Sequence, residues 1–419
     1  MAYAHAPLED AQLGPIAARM VGANAPGPMR KMVAQGLAPL PPKDMVIALY
    51  QIWVTNDPDL SEVAAKTVSG LPESTLKGAI DDRTLPAGVL DFLGRKLLRQ
   101  GELLDAIARH PNVDDQSLVG IARVCPDIVC DTLARAENRW LRTPAIVASL
   151  YQNRNCPMSV IHRMLELAER EGVEIKMVGM EEIRAAFRED KADGVVYDEA
   201  SDEVFAEVFA PDEGDQAELI EEFAAAGVDD ELDLPELGDE FEAEGDDLGD
   251  ALAGPGDEVA ETAEAEPEPE PEPAGPDYEA ETKKRENRLQ QLLKMNPSEK
   301  VRAALLGDKS DRAVLIRDSN KVVAMSAAKS PKVTDSEAVN WSANRSLSPE
   351  VIRYIANRRE WIKLYTVKYN LVMNPKTPMV RSMSLMAYLS RADLAKVARS
   401  KSIPSALAKA AKRKVGGGR

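Results

Sequence analysis

Apolar residues recur at intervals of three and four from Pro42 to Ala168 and again from Arg285 to Val415, with no sustained period of two. That spacing predicts helices and no sheet. Val160, Ile161, Met164, Leu165 and Ala168 show it on one helical face. Thr143-Pro144, Ser348-Pro349 and Thr377-Pro378 each predict a helix start, with the hydroxyl as N-cap and the proline at the first helical position, where its missing donor costs nothing. Pro86, Pro157 and Pro404 mark three more starts. Thr334 with Glu337 and Ser390 with Asp393 have capping-box spacing, while Gly101 and Gly307 follow apolar runs and predict C-terminal stops. Helices bounded this way run about 10 to 14 residues.

The two helical stretches reuse the same units. Pro111-Asn112-Val113-Asp114-Asp115 returns as Pro331-Lys332-Val333-Thr334-Asp335, a shift of 220 positions. Asn153-Arg154 and Val160-Ile161 return as Asn344-Arg345 and Val351-Ile352, a shift of 191. The shifts differ by 29, which is also the distance from Pro349 to Pro378. The first stretch therefore carries one unit more, and residues near Cys125 to Gln152 are expected to form an added helical hairpin in a stack of hairpins, an α-solenoid. Two-helix repeats with Asn/Ser-Pro-x-x-Pro-like loops resemble HEAT-like and leucine-rich-repeat-variant proteins. The run Asn374-Pro375-Lys376-Thr377-Pro378, with Arg391-Ala392-Asp393-Leu394 and Ile403-Pro404, resembles a family of uncharacterised bacterial proteins. The resemblance implies a helical-repeat fold and supplies no catalytic residues.

Charge divides the chain more sharply than hydropathy does. Acidic residues number 25 against 21 basic over 1–190, 34 against 1 over 191–280, and 11 against 30 over 281–419, so the overall −18 hides a polyanionic middle and a basic end. The expected organisation is all-α: two α-solenoid modules, residues 1–190 and a basic 282–419, joined by an acidic, Pro/Glu-rich disordered linker over 191–281. Apolar islands punctuate that linker at Val204, Phe205, Val208 and Phe209, at Leu219, Ile220 and Phe223, and at Leu232, Leu234 and Leu237. The favoured reading leaves them solvated. The sharper one folds Phe205, Phe209 and Phe223 onto a groove of the protein or of a partner. Three cysteines are too few for a disulfide scaffold, the first ten residues lack a basic and apolar leader, and Val46 to Val54 falls far short of the roughly 20 residues a membrane helix needs. A cytoplasmic protein without membrane contact is expected.

Catalytic signals are thin. Ser326-Ala327-Ala328-Lys329, then Ser342-Ala343-Asn344 and Lys376-Thr377, mimic the elements of penicillin-binding enzymes, but Pro378 stands where the last needs Gly, and Ser74 with Lys77 repeats the first match by chance. Cys125 and Cys130, five apart, would point about 140° apart on one helix and so not pair. His5 and His110 have no evident companions. No phosphate-binding loop appears, so no metal and no cofactor is expected. Trp361, Tyr365 and Tyr369, spaced i, i+4, i+8, would share one helix face interleaved with Arg358, Arg359, Lys363 and Lys368, with Lys409, Lys412, Arg413 and Lys414 beyond. Such a face could stack bases and meet phosphates, although an aromatic stripe is more often a core seam. The expected function is a non-enzymatic scaffold binding a partner protein through solenoid surfaces. The alternative is nucleic-acid binding by the basic module, autoinhibited by the acidic linker. Salt-sensitive self-association is a further expectation.

Overall fold

The computed structural model describes residues 3–22, 25–55, 57, 59–198, 202–203, 205–206, 220–221 and 288–416. Among these residues are 23 α-helices and one 3-10 helix, with no strand. None is long and apolar enough to cross a membrane. The α-helices run from 5 residues to 14, many at 8 to 10, so most are shorter than their spacing predicts. Short helices of this kind are marginal alone and owe their stability to the faces they bury.

Those faces stack in two layers. Glu73–Ile80, Gly101–Arg109, Asp127–Arg135 and Met158–Glu171 follow one another in the first, while Pro42–Val54, Ala87–Lys96, Asp115–Val124 and Ala145–Gln152 form the second. Asp127–Arg135 and Ala145–Gln152 form a hairpin with a short helix, Glu137–Arg142, between them, but the same trio returns as Pro349–Asn357, Arg359–Lys363 and Tyr365–Met373, so the unit expected to be extra has a counterpart in the second stretch. In the C-terminal part Pro297–Leu306, Lys321–Lys329 and Pro349–Asn357 stack in one layer, and Asp335–Ala343, Tyr365–Met373 and Arg391–Arg399 in the other.

A repeated polar turn sets the spacing. His110, Asn153, Ser330, Asn344, Asn374 and Ser400 each end a helix, and each side chain accepts the backbone N–H two residues on. Four of these side chains, His110, Asn153, Ser330 and Asn374, also reach back one repeat. Asn153 Nδ2 donates to the carbonyls of Ala122 (3.0 Å) and Cys125 (2.8 Å), Asn374 Nδ2 to those of Ser342 (3.0 Å) and Asn344 (3.2 Å), and Ser330 Oγ to that of Leu305 (3.0 Å). His110 Nδ1 accepts, so Nε2 carries the proton and donates to Asp82 O at 3.1 Å. Carbonyls left free near the ends of the preceding helices at Asp82, Ala122, Cys125, Leu305, Ser342 and Asn344 are thereby satisfied inside the protein by the next unit. Ser330-Pro331 and Asn374-Pro375 are the Asn/Ser-Pro loops of this set.

Several predicted helix ends move. Ser348 caps Val351 N–H and Thr334 forms a full capping box with Glu337, as their spacing predicts. Pro144 and Pro378, however, are themselves N-caps, which leaves Thr143 to bond Asp115 and Thr377 Oγ1 buried without a partner among the described residues. Gly101 opens a helix where a stop was expected, because the preceding helix already ends at Lys96, and Gly307 does close one. His5 has companions after all: its Nε2 lies 2.9 Å from the buried Asp91, which also pairs with Arg95 at 2.7 Å.

The two helical stretches dock on each other and share one apolar core. Met180–Ala192 packs on both Pro297–Leu306 and Lys321–Lys329. Arg302, fully buried, crosses this junction: Nε donates to Tyr151 O (3.1 Å), Nη1 to Cys156 O (2.8 Å) and Nη2 to Asn153 O (2.7 Å). Lys329 pairs with Glu182 at 3.0 Å, and Arg154 Nη2 donates to Leu306 O at 2.8 Å.

Asp190 reaches the start of Pro297–Leu306, whose N-cap is Asn296, its Oδ2 accepting from Ser298 N–H (3.1 Å) and the Tyr197 hydroxyl (2.8 Å). Burial holds its carboxyl above the usual range, and burial does the same to the neighbouring Glu299. A carboxyl raised in this way adds stability that is full below its unfolded value and lost as pH rises through its folded value. Asp190→Asn keeps an acceptor for Ser298 and removes the buried charge. Its melting temperature relative to wild type is expected to be lowest at or below about pH 4, the ordinary carboxyl range, and to rise as pH is raised above it. Asp91 and Glu337, both held low, respond oppositely in both proteins and cancel in the difference. Parallel curves over that range would refute the assignment.

Candidate partner-binding surface

The predicted aromatic face does not exist as one helix. Leu364 takes an extended conformation (φ −70°, ψ 122°) between Arg359–Lys363 and Tyr365–Met373, so Trp361 and the two tyrosines belong to different helices. Trp361 is buried and meets Tyr354 edge-on at 6.1 Å, with the Arg358 guanidinium 5.6 Å from its ring centroid. Tyr365 is 44% exposed, but its hydroxyl donates to Asp393 and accepts from Ser390 N–H at 3.0 Å, tying one hairpin to the next. That hydroxyl, followed by Lys396, holds the Asp393 carboxyl below its ordinary value. Tyr369 is half-buried with Lys396 Nζ 5.9 Å from its ring centroid. Trp361 and Tyr369 thus serve mainly as seams between helices.

The cations are better placed. Arg358, Arg359, Lys363, Lys409, Lys412, Arg413 and Lys414 are exposed, and Lys368 is half-buried with Nζ 5.2 Å from the Tyr388 ring centroid. From 361 to 416 the chain carries 12 basic residues and one acid, Asp393.

Sequence reasoning missed what lies among them. The helix Met379–Leu385 and the 3-10 turn Met386–Tyr388 bury Leu385 and Met386 and leave Met379, Val380, Met383 and Tyr388 outward, with Val380 80% exposed. The available signal was an excess of apolar positions: Met379, Val380, Met383, Leu385, Met386, Tyr388 and Leu389 exceed what one buried stripe accommodates. Methionines on such a surface adapt to irregular partners.

The other candidate residues resolve simply. Ser326 Oγ is buried and donates to Val322 O of its own helix (2.9 Å), while Lys329 is held by Glu182, so the two are not arranged as nucleophile and base. Cys125 and Cys130 do converge, Sγ to Sγ 3.5 Å, because Pro126 ends one helix and starts another and the 140° argument assumed a single helix. The Cys125 contact pushes the Cys130 thiol up, and burial pushes Cys156 up, which favours the protonated thiol in both. Among the described residues no group of three His, Cys, Asp or Glu is set to hold a metal.

The acidic segment is less detached than expected. Phe205, favoured as a solvated residue, is buried over Arg302 at 4.9 Å, while Asp202 accepts from Ser159 N–H (3.0 Å) and its hydroxyl at the start of Met158–Glu171. Ile220 packs against the core, and Glu221 lies 3.6 Å from Arg99. Cation–π contact and aromatic burial reward this docking where composition alone predicts repulsion. Phe209 and Phe223 lie outside the described residues. Comparison with protein-family models, curated proteins and solved structures gives no match.

Proposed function

We infer that the chain is a non-enzymatic helical-repeat scaffold whose basic C-terminal hairpins bind a partner protein. The exposed Met379, Val380, Met383 and Tyr388, with Lys368 over the Tyr388 ring, carry this reading, since protein surfaces rarely keep apolar residues together without a partner. A second reading is nucleic-acid binding, favoured by 12 bases against one acid over 361–416.

One experiment separates them. A photo-crosslinking residue at Lys363 captures contacts in cells, and any captured protein is then tested for binding to the purified chain. In parallel, labelled single- and double-stranded oligonucleotides are titrated against the chain in a salt series. The scaffold reading expects a reconstituted protein complex and weak, sequence-blind oligonucleotide binding. Binding that falls steeply with salt and is abolished by Lys363→Gln, Lys368→Gln, Lys412→Gln and Lys414→Gln would establish the nucleic-acid reading instead.

A further inference from the structure

Away from the C-terminal surface, the hairpin of Met158–Glu171 and the return helix Met180–Ala192 is held open, because the return helix packs mainly on Pro297–Leu306 and Lys321–Lys329. The space between its two helices is a cleft of about 240 Å³. Its floor is apolar: Leu165, Ala168, Ile175, Met180, Ile183 and Phe187 line it, none more than 7% exposed. Its mouth is charged, with the two signs on different walls. Arg184 and Arg188 stand one turn apart on the return helix, Glu169 and Glu174 on the outgoing helix and the turn after it. Arg188 reaches Glu169 at 3.4 Å, whereas Arg184 and Glu174 are exposed and make no ion pair among the described residues.

We propose that this cleft binds a free α-amino acid with an aliphatic or aromatic side chain, the side chain on Leu165, Ile183 and Phe187, the carboxylate at Arg184 and the ammonium at Glu174. Size fits: an apolar cavity of about 150 Å³ takes benzene and drug-sized ligands need roughly 300–1,000 Å³, so about 240 Å³ suits a molecule between the two. The floor rejects charged side chains, which would lose their hydration there unpaired. A mouth of one sign would suit a fatty acid or an amine. One that offers an unpaired cation and an unpaired carboxylate on separate walls suits a zwitterion. A ligand held between the two helices also braces the return helix where it supports the junction, and so stabilises the fold by mass action.

A natural reporter lies behind the floor. Leu165, Ile183 and Phe187 also line a second cavity of about 10 Å³, room for about one water, together with His162. The His162 ring centroid lies 4.6 Å from that of Phe187, and its Nε2 has no hydrogen-bond partner among the described residues. Burial pushes its imidazole down to about 4, so at neutral pH its NMR signals, among those of only three histidines, respond to the ligand and not to titration. Leucine and phenylalanine titrated into the full chain should each give saturable shifts at His162. Isocaproate and isoamylamine, which keep the leucine side chain without its ammonium or its carboxylate, should bind roughly tenfold more weakly, the scale of one charged contact. Arg184→Gln and Glu174→Gln, at exposed positions, should weaken leucine to a similar extent, and Ala168→Phe, which fills the cleft, should abolish its binding. No saturable shift at millimolar amino acid would overturn the proposal. Equal binding of isocaproate or isoamylamine would remove the zwitterion, and full leucine affinity in an Ala168→Phe chain with the wild-type circular dichroism spectrum would place the ligand elsewhere; either result also overturns it.

Discussion

Arg302→Leu is expected to lower the stability of the protein by about 3–5 kcal/mol, with the loss concentrated at the junction between the two helical stretches. Three carbonyls, those of Tyr151, Asn153 and Cys156, receive the guanidinium, each by a charge-assisted bond worth about 1.5–3 kcal/mol. Burying the cation offsets part of this sum, because a guanidinium leaves water at a cost of several kcal/mol. The expected net sits above an ordinary hydrogen-bond deletion because leucine fills the space and leaves all three acceptors dry. Arg302→Lys preserves the charge but not the planar fork, so it should recover less than half of the loss. Urea denaturation followed by far-ultraviolet circular dichroism measures both. Uncoupling of the stretches should also broaden the transition or split it in two. A shift under about 1 kcal/mol, the scale of a surface substitution, would show that Arg302 does not hold the junction.

Helix content and the hairpin stack were legible because each rests on local spacing, whereas the unit at Cys125 to Gln152, expected to be extra, has its counterpart at Pro349–Asn357, Arg359–Lys363 and Tyr365–Met373. Prolines and capping residues act within one turn, and a repeat register compares like with like. The junction was not legible. Arg302 lies 149 residues from Asn153, and nothing in a basic residue on an apolar helix distinguishes a buried knot from a solvated charge. The aromatic stripe failed for a related reason. No Pro or Gly interrupts Trp361 to Tyr369, yet Leu364 is extended, so tertiary packing rather than local propensity sets the break. Cys125 and Cys130 erred the other way: Pro126 was visible, but the angular argument carried one helix through it. Composition averaged Phe205 into its carboxylate neighbours, when a single aromatic residue facing a buried cation was enough to dock that stretch.

Phe205→Ala is expected to cost about 3–4 kcal/mol, an effect too large for a residue of a free tether. The ring is 2% exposed and covers the Arg302 guanidinium, which has Tyr151 at 5.5 Å as its other aromatic neighbour. Truncation opens a cavity and lets water reach the guanidinium, so the three carbonyl bonds weaken together. The two substitutions should therefore not add. In a double-mutant cycle, Phe205→Ala on the Arg302→Leu background should cost about 1–2 kcal/mol less than on wild type, because the cation it shields is gone. Asp202 should matter less: its hydrogen bonds go to Ser159 at a neighbouring helix start and its carboxylate acts on Arg302 only through space, so Asp202→Asn should cost less than Phe205→Ala. Limited proteolysis adds a readout that stability alone does not supply. If Phe205 anchors the start of the acidic segment, its loss should open cleavage between 195 and 206 under native conditions. Additive energies, or a cleavage pattern identical to wild type, would return Phe205 to the solvated linker that composition first suggested.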